Sequence, residues 1–79
     1  GTIWCLSIAD VWSEAIAKAV TAAYPGCLVH KAAVLDVSGI EIWIASIADV
    51  WTQAQAEEAQ RQFAALGVAG VVHNIRVLE

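Results

Sequence analysis

The side chains best suited to chemistry are two cysteines and two histidines, Cys5, Cys27, His30 and His73. Thiolate and imidazole are the ligands that zinc prefers in proteins. The spacing does not favour a metal site, because the four residues fall on three different predicted strands. Cys27 and His30 are three residues apart on one strand and therefore point to its opposite faces. We expect no metal and no cofactor, and we interpret both cysteines as reduced, buried thiols.

Hydroxyl and carboxyl groups offer no clearer catalytic arrangement. Ser7 and Ser46 would need a base at hand to act as nucleophiles, and the neighbouring sequence supplies none. Glu57 and Glu58 are adjacent on a predicted helix, so their carboxylates project in different directions. The sequence accordingly predicts a protein that is not an enzyme.

The composition excludes several functional classes. The 79 residues are 59% hydrophobic and 15% charged, and the net charge is −4 with only four basic residues. A disordered chain is less hydrophobic than this, and a protein that binds nucleic acid through bulk charge is basic. No apolar stretch approaches the roughly 20 residues that a membrane-spanning helix needs. We expect one small domain with neither a nucleic-acid nor a membrane partner.

An internal repeat divides the chain into two halves. The hexapeptide Ser-Ile-Ala-Asp-Val-Trp occurs at Ser7–Trp12 and again at Ser46–Trp51, and the two histidines fall at equivalent places after it. One domain, residues 1–79, is therefore predicted to consist of the halves 3–35 and 40–78. Each half reads as a strand, a helix and a second strand.

Apolar periodicity and turn residues give the predicted boundaries of these elements. Strands are expected at residues 3–8, 27–35, 40–47 and 71–78, and helices at about 10–24 and 49–66. Asp10 and Asp49 stand where the helices should begin, so each carboxylate is expected to cap a helix N-terminus. The segment Asp36-Val37-Ser38-Gly39 predicts a four-residue hairpin turn.

The element order βαββαβ predicts an α+β protein of the ferredoxin-like class. Right-handed crossovers turn two such units into a four-stranded antiparallel sheet of order 4-1-3-2 with both helices on one face. This two-layer sandwich leaves the other face of the sheet bare. In strand three, Ile40, Ile42 and Ile44 form the row that should face the helices, and Ile3 and Cys5 are their counterparts in strand one.

The bare face of this sheet is the predicted binding surface. Alternation places a tryptophan pair at its centre and one cation at each edge. The candidate partner-binding residues are Trp4, Leu6, Lys31, Glu41, Trp43 and Arg76. A contiguous apolar patch on a small domain indicates self-association or a peptide partner, whereas the alternative is that the indoles are covered by one another and by neighbouring stems. Base stacking on RNA is disfavoured because the protein is acidic.

Three short segments resemble the NapD family, the assembly chaperones of periplasmic nitrate reductase. They are Tyr24-Pro25-Gly26-Cys27-x-Val29 before strand two, Ser38-Gly39 at the hairpin, and Val68-Ala69-Gly70-Val71 before the last strand. The resemblance implies a cytoplasmic chaperone of this same fold that binds a twin-arginine signal peptide through its exposed sheet.

A second hypothesis is that the sequence was computed for a ferredoxin-like backbone. The repeated hexapeptide is not a feature of the NapD family, and local sequence–structure rules return the same segment at equivalent positions. We favour this second hypothesis, in which the protein is a designed or engineered scaffold of recombinant origin. Its function would be to fold stably, without catalytic activity, and the NapD-like chaperone is the alternative.

Overall fold

The computed structural model of the protein describes residues 1–36 and 38–78. Its elements, in chain order, are β1 (Ile3–Val11), α1 (Glu14–Ala23), β2 (Leu28–Val34), β3 (Glu41–Val50), α2 (Gln53–Ala65) and β4 (Val71–Val77). The chain is a small α+β domain with two helices and a sheet, and the prediction is confirmed at this level.

The four strands form a closed antiparallel barrel in the order β1-β3-β2-β4. The predicted open two-layer sandwich of order 4-1-3-2 is wrong, because β2 also pairs with β4, with Ala33 opposite Arg76 and Val34 opposite Ile75. This pairing joins the two strands that an open sheet would leave as edges, so their N–H and C=O groups find partners in each other. The barrel has an interior and an exterior in place of a covered face and a bare face.

Paired bulges in the repeated hexapeptide bend the two longest strands. Ser7 pairs with its equivalent Ser46, but the register shifts on either side of this pair and leaves Ile8 and Ile47 as extra residues. A bulge bends its strand and increases the local twist. Four strands close into a barrel only when they are strongly bent and tilted, so both copies of the hexapeptide contribute to closure.

The helices begin later than predicted because the hexapeptides continue the strands. Asp10 and Asp49 lie within β1 and β3, and their predicted role as helix caps is wrong. The N-cap residues are Ser13 and Thr52. Thr52 forms a reciprocal capping box, in which its hydroxyl accepts from the Gln55 N–H and the Gln55 side chain accepts from the Thr52 N–H.

β2 ends at Val34 and β3 begins at Glu41, so the connection between them is longer than the predicted four-residue turn at 36–39, of which residue 37 lies outside the described residues. Ser38 and Gly39 both have positive φ angles, 55° and 62°. This left-handed conformation costs little at glycine, and the short polar side chain of a serine tolerates it better than a branched one would. The Val34 N–H donates to the Ile40 carbonyl oxygen across the turn at 2.8 Å.

The barrel interior is the hydrophobic core of the domain. Its members are Ile3, Cys5, Ala32, Val34, Ile42, Ile44 and Ile75. Of the residues that were expected to face the helices, Ile3, Cys5, Ile42 and Ile44 therefore face the barrel interior. Ile40 precedes β3 and is exposed, so its predicted place in this row is wrong. The helices pack on the outside, α1 against β1, β2 and β3 and α2 against β1, β3 and β4, and each buries one alanine there, Ala17 and Ala56.

Gly70, which follows α2, lies against the outer side of β1. A Cβ at this position would stand 2.6 Å from Leu6 Cδ1 and 3.3 Å from the Ser7 carbonyl oxygen. Leu6 is fully buried and has no room to move away. We expect Gly70→Ala to lower the free energy of unfolding by about 1–3 kcal/mol, the usual cost of overpacking. Urea unfolding followed by tryptophan fluorescence measures it, with Ala69→Ser at the neighbouring exposed position as the control. An unchanged midpoint in Gly70→Ala would contradict the close approach.

Candidate functional site

The most concentrated polar chemistry in the barrel is a hydrogen-bonded group of three residues, Ser7, Asp10 and His73, here called cluster 1. Ser7 Oγ donates to Asp10 Oδ1, and His73 Nε2 donates to Asp10 Oδ2 at 2.8 Å. Ser7 is 2% exposed and His73 is 6% exposed. Because Ser7 and Asp10 belong to β1 and His73 belongs to β4, cluster 1 ties these two neighbouring strands together.

The second hexapeptide takes part in the same arrangement, formed by Ser46 and Asp49 with His30 from the first half, here called cluster 2. Ser46 Oγ donates to Asp49 Oδ1, and His30 Nε2 donates to Asp49 Oδ2 at 2.8 Å. Cluster 2 ties β3 to β2. Each hexapeptide therefore supplies a serine and an aspartate, and each second strand supplies the histidine.

The connectivity of both clusters differs from that of a catalytic triad. In a triad the histidine stands between serine and aspartate and accepts the hydroxyl proton. Here the aspartate stands in the middle, and each of its carboxylate oxygens accepts one hydrogen bond. The serine hydroxyl points its proton at a carboxylate across the bulge. The arrangement gives the serine hydroxyl, both aspartate oxygens and one histidine nitrogen a hydrogen-bond partner next to the bulge.

The pKa values of Asp10 and His73 in cluster 1 are shifted in opposite directions. Burial opposes ionisation of Asp10, but the hydrogen bonds from His73 and Ser7 outweigh it and lower the pKa of the Asp10 carboxyl. The hydrogen bond to Asp10 raises the pKa of His73 against the effect of burial, and nearby Asp36 adds to the rise. Asp36 Oδ1 lies 3.7 Å from His73 Nδ1, and this buried nitrogen has no hydrogen-bond partner among the described residues. Cluster 1 is therefore biased toward a carboxylate–imidazolium pair.

A cavity of about 220 Å³ lies beside cluster 1. Its apolar walls are Val11, Trp12, Val34, Ile40 and Ile42, and its polar lining comes from Asp10 and His73. The Trp12 side chain is 77% exposed and forms part of the rim. The cavity thus combines apolar walls with one charged end.

Both cysteines are free, and they differ in burial. Cys5 is buried in the barrel interior, where burial and then the charges of Asp49 and Asp10 raise the pKa of its thiol to about 12. Cys27 is only half-buried, and burial raises its pKa as well. The prediction of buried thiols thus holds for Cys5 and is wrong in degree for Cys27.

Sequence reasoning placed the partner-binding residues on one surface, and the structure separates them. Trp4 pairs with Val50 and Trp43 pairs with Val11, so the two indoles lie toward opposite ends of the β1–β3 ladder. Their burial differs too: Leu6 is fully buried, Trp4, Lys31 and Trp43 are half-buried, and Glu41 and Arg76 are exposed. A role in partner binding stays a prediction for these residues, but the bare face from which it was inferred does not exist in a closed barrel.

The clusters themselves were missed at the level of sequence. The available signal was the Ser-x-x-Asp spacing in both hexapeptides together with a histidine in the second strand of each half.

Within residues 1–36 and 38–78, no group of three or more histidine, cysteine, aspartate or glutamate residues is placed to hold a metal ion. None of the helices in those ranges has the length and apolar character to cross a membrane.

The linked titrations of Asp10 and His73 predict a stability optimum. Asp10 has a folded pKa below its ordinary 3.8, so its contribution is present above pH 3.8 and is lost as the pH falls through the lowered pKa. His73 has a folded pKa above its ordinary 6.5, so its contribution is full below pH 6.5 and is lost as the pH rises through the raised pKa. We expect the highest stability from this pair between pH 3.8 and pH 6.5.

Urea unfolding at a series of pH values measures this optimum. Asp10→Asn removes the carboxylate that raises the pKa of His73, so the decline on the alkaline side should flatten in that variant. An alkaline decline that is the same in wild type and Asp10→Asn would show that the decline has another source.

The difference in burial predicts selective alkylation of the cysteines. In the native protein we expect iodoacetamide to modify Cys27, while Cys5 reacts only after unfolding, because the thiolate is the nucleophile and Cys5 is both buried and hard to ionise. Peptide mass spectrometry before and after addition of denaturant distinguishes the two sites. Native Cys27→Ser should take up no label, and rapid labelling of that variant would contradict the buried position of Cys5.

Comparison with models of protein families, with curated protein sequences and with solved structures found no match. The comparisons therefore bear neither on the resemblance to the NapD family nor on a designed origin, and function has to be inferred from the geometry of the two clusters and the cavity.

Proposed function

We propose that the chain is a non-catalytic scaffold of engineered sequence, whose function is to fold stably. The main observation in support of this proposal is that the same buried bulge and hydrogen-bonded cluster occur twice in the chain. Both copies of the hexapeptide form the same bulge and the same Ser–Asp–His cluster, and each cluster ties two neighbouring barrel strands together.

The chemistry of the clusters supports a structural role. Each central aspartate accepts a hydrogen bond on both carboxylate oxygens, and the serines are 2% and 1% exposed. These hydrogen bonds favour the observed β1–β4 and β3–β2 pairings, since other neighbours would leave the buried serine and aspartate groups without partners. The residues that most resemble catalytic groups are thus engaged in hydrogen bonds that join β1 to β4 and β3 to β2.

The agreement between local and global structure supports an engineered sequence. An identical segment in each half meets an equivalent environment, bends at the same residue and bonds to an equivalent histidine. Consistency of this kind across levels is evidence that the sequence specifies one fold, and the repetition of an identical hexapeptide is what rules relating local sequence to structure would return at two equivalent positions. The NapD-like chaperone has no such observation in its favour, because its peptide was expected on a bare sheet face.

Removing either central aspartate tests the structural role. Asp10→Ala and Asp49→Ala each leave a buried serine and a histidine without their partner, so each should lower the free energy of unfolding by about 2–3 kcal/mol. The two losses should be similar, since the clusters are equivalent. Glu57→Ala on the exposed face of α2 is the matched control and should change stability by less than about 0.5 kcal/mol. Full stability in both aspartate variants would remove the basis of the proposal.

Serine reactivity provides an independent test. A fluorophosphonate probe labels serines that an adjacent base activates, and we expect no label at Ser7 or Ser46 in the native protein. Ser7→Ala and Ser46→Ala serve as controls for the site of any reaction. Labelling of the wild type that disappears in one of these variants would show a reactive hydroxyl and would overturn the proposal of a non-catalytic scaffold.

A further inference from the structure

The cavity beside cluster 1 has the size of a one-ring ligand. An apolar cavity of about 150 Å³ in another protein holds benzene. The volume here is about 220 Å³, and its walls include Val11, Val34, Ile40 and Ile42. There is room for one aromatic ring and a chain of about two carbon atoms, and the side chains present would contact such a ring by van der Waals packing.

The polar end of the cavity favours a positively charged group. Asp10 lines the cavity with a side chain that is 32% exposed, so its carboxylate is within reach of a ligand. Each Asp10 oxygen accepts one hydrogen bond from cluster 1 and has a second lone pair available. Asp36 stands next to His73, so two carboxylates face a single imidazole here. The local charge stays negative even when His73 is protonated, which disfavours an anion.

The rim supplies an aromatic face. Trp12 lines the cavity and is 77% exposed, so its indole is free to pack against a ligand ring or a cation. Tryptophan is the side chain that attracts cations most strongly through its ring face. Apolar walls, a carboxylate and an indole thus converge on one small space.

We propose that this cavity binds a small primary arylalkylammonium ion, with the aromatic ring among the apolar side chains and the ammonium group on the Asp10 carboxylate. The proposal goes beyond the scaffold function, because cluster 1 would then serve as a recognition element as well as a brace. It concerns cluster 1 specifically, where Asp36 and the cavity lie beside the histidine.

An NMR titration with 2-phenylethylamine tests the proposal on the intact protein. The indole Nε1–H signals of Trp12 and Trp51 are matched reporters, since the two residues end equivalent hexapeptides and are 77% and 79% exposed. We expect a saturable shift of the Trp12 signal and of the Ile42 amide, with the Trp51 signal unchanged. Equal shifts of both indoles would show general association of the amine with exposed tryptophan and would overturn the proposal.

A neutral ligand and charge-neutral variants test the role of the carboxylate. 2-Phenylethanol has nearly the same shape without the charge, and it should bind about two- to fivefold more weakly than the amine. Asp10→Asn should weaken binding of the amine by a similar factor. Asp49→Asn perturbs the equivalent cluster 2 and should leave binding unchanged, which separates recognition from general loss of stability. Equal affinity for the amine and the alcohol, or for wild type and Asp10→Asn, would overturn the proposal.

Filling the cavity is a test that leaves both clusters intact. Ile40 lines the cavity and is 39% exposed, so Ile40→Trp can add volume at the opening without entering the barrel core. The Trp12 shift on addition of 2-phenylethylamine should then be lost while the unfolding midpoint stays close to wild type. Undiminished binding by a folded Ile40→Trp variant would place the ligand elsewhere and would contradict the assignment. This variant decides the question even if Asp10→Asn does not fold.

Discussion

The fold depends on a single constraint: four strands form a barrel only if the longest two bend sharply at their middle. The bend occurs where Ser7 pairs with Ser46 and the register shifts on both sides. A bulge alone leaves polar groups without partners and weakens the ladder. In this protein the serine and aspartate of each hexapeptide bond to one another across the bulge, and a histidine from the neighbouring strand completes the group. The residues at each bulge therefore both bend the strand and supply hydrogen-bond partners for the polar groups buried there.

Much of the local structure is predictable from the sequence, because it depends on short-range patterns. The repeat indicates two equivalent halves, the alternation of Ile40, Ile42 and Ile44 indicates a strand, and Pro25-Gly26 and Gly67 lie at the ends of helices. Alternation of apolar and polar residues shows which side chains share a face of the strand, but it does not show which element packs against that face. The same rows of apolar residues satisfy a sandwich, in which they face helices, and a barrel, in which they face one another. Pairing of β2 with β4 decides between them, and no local pattern encodes it.

The errors at the candidate site have the same origin. An aspartate before an amphipathic segment is a good helix cap, and Asp10 and Asp49 were interpreted in this way. Their partners are instead His73 and His30, and the Asp10–His73 pair is 63 residues apart in the chain. Pairing of β4 with β1 and of β2 with β3 brings such groups together, and it does so across long separations in the chain. The predicted placement of Trp4 and Trp43 as a central pair was wrong for a related reason, since the β1–β3 register puts them toward opposite ends of the ladder. Partner binding by these residues stays a prediction.

Duplication makes the two halves equivalent in their hydrogen bonds and leaves their surroundings free to differ. Asp36 lies beside the buried imidazole of His73, and a cavity with apolar walls reaches the Asp10 carboxylate that this imidazole contacts. A ligand binds through groups and lone pairs of the site that are not already engaged in hydrogen bonds within the protein. Features that break the symmetry of a duplicated fold are therefore the places where a function other than stability can reside, and in this barrel they gather at one end of cluster 1.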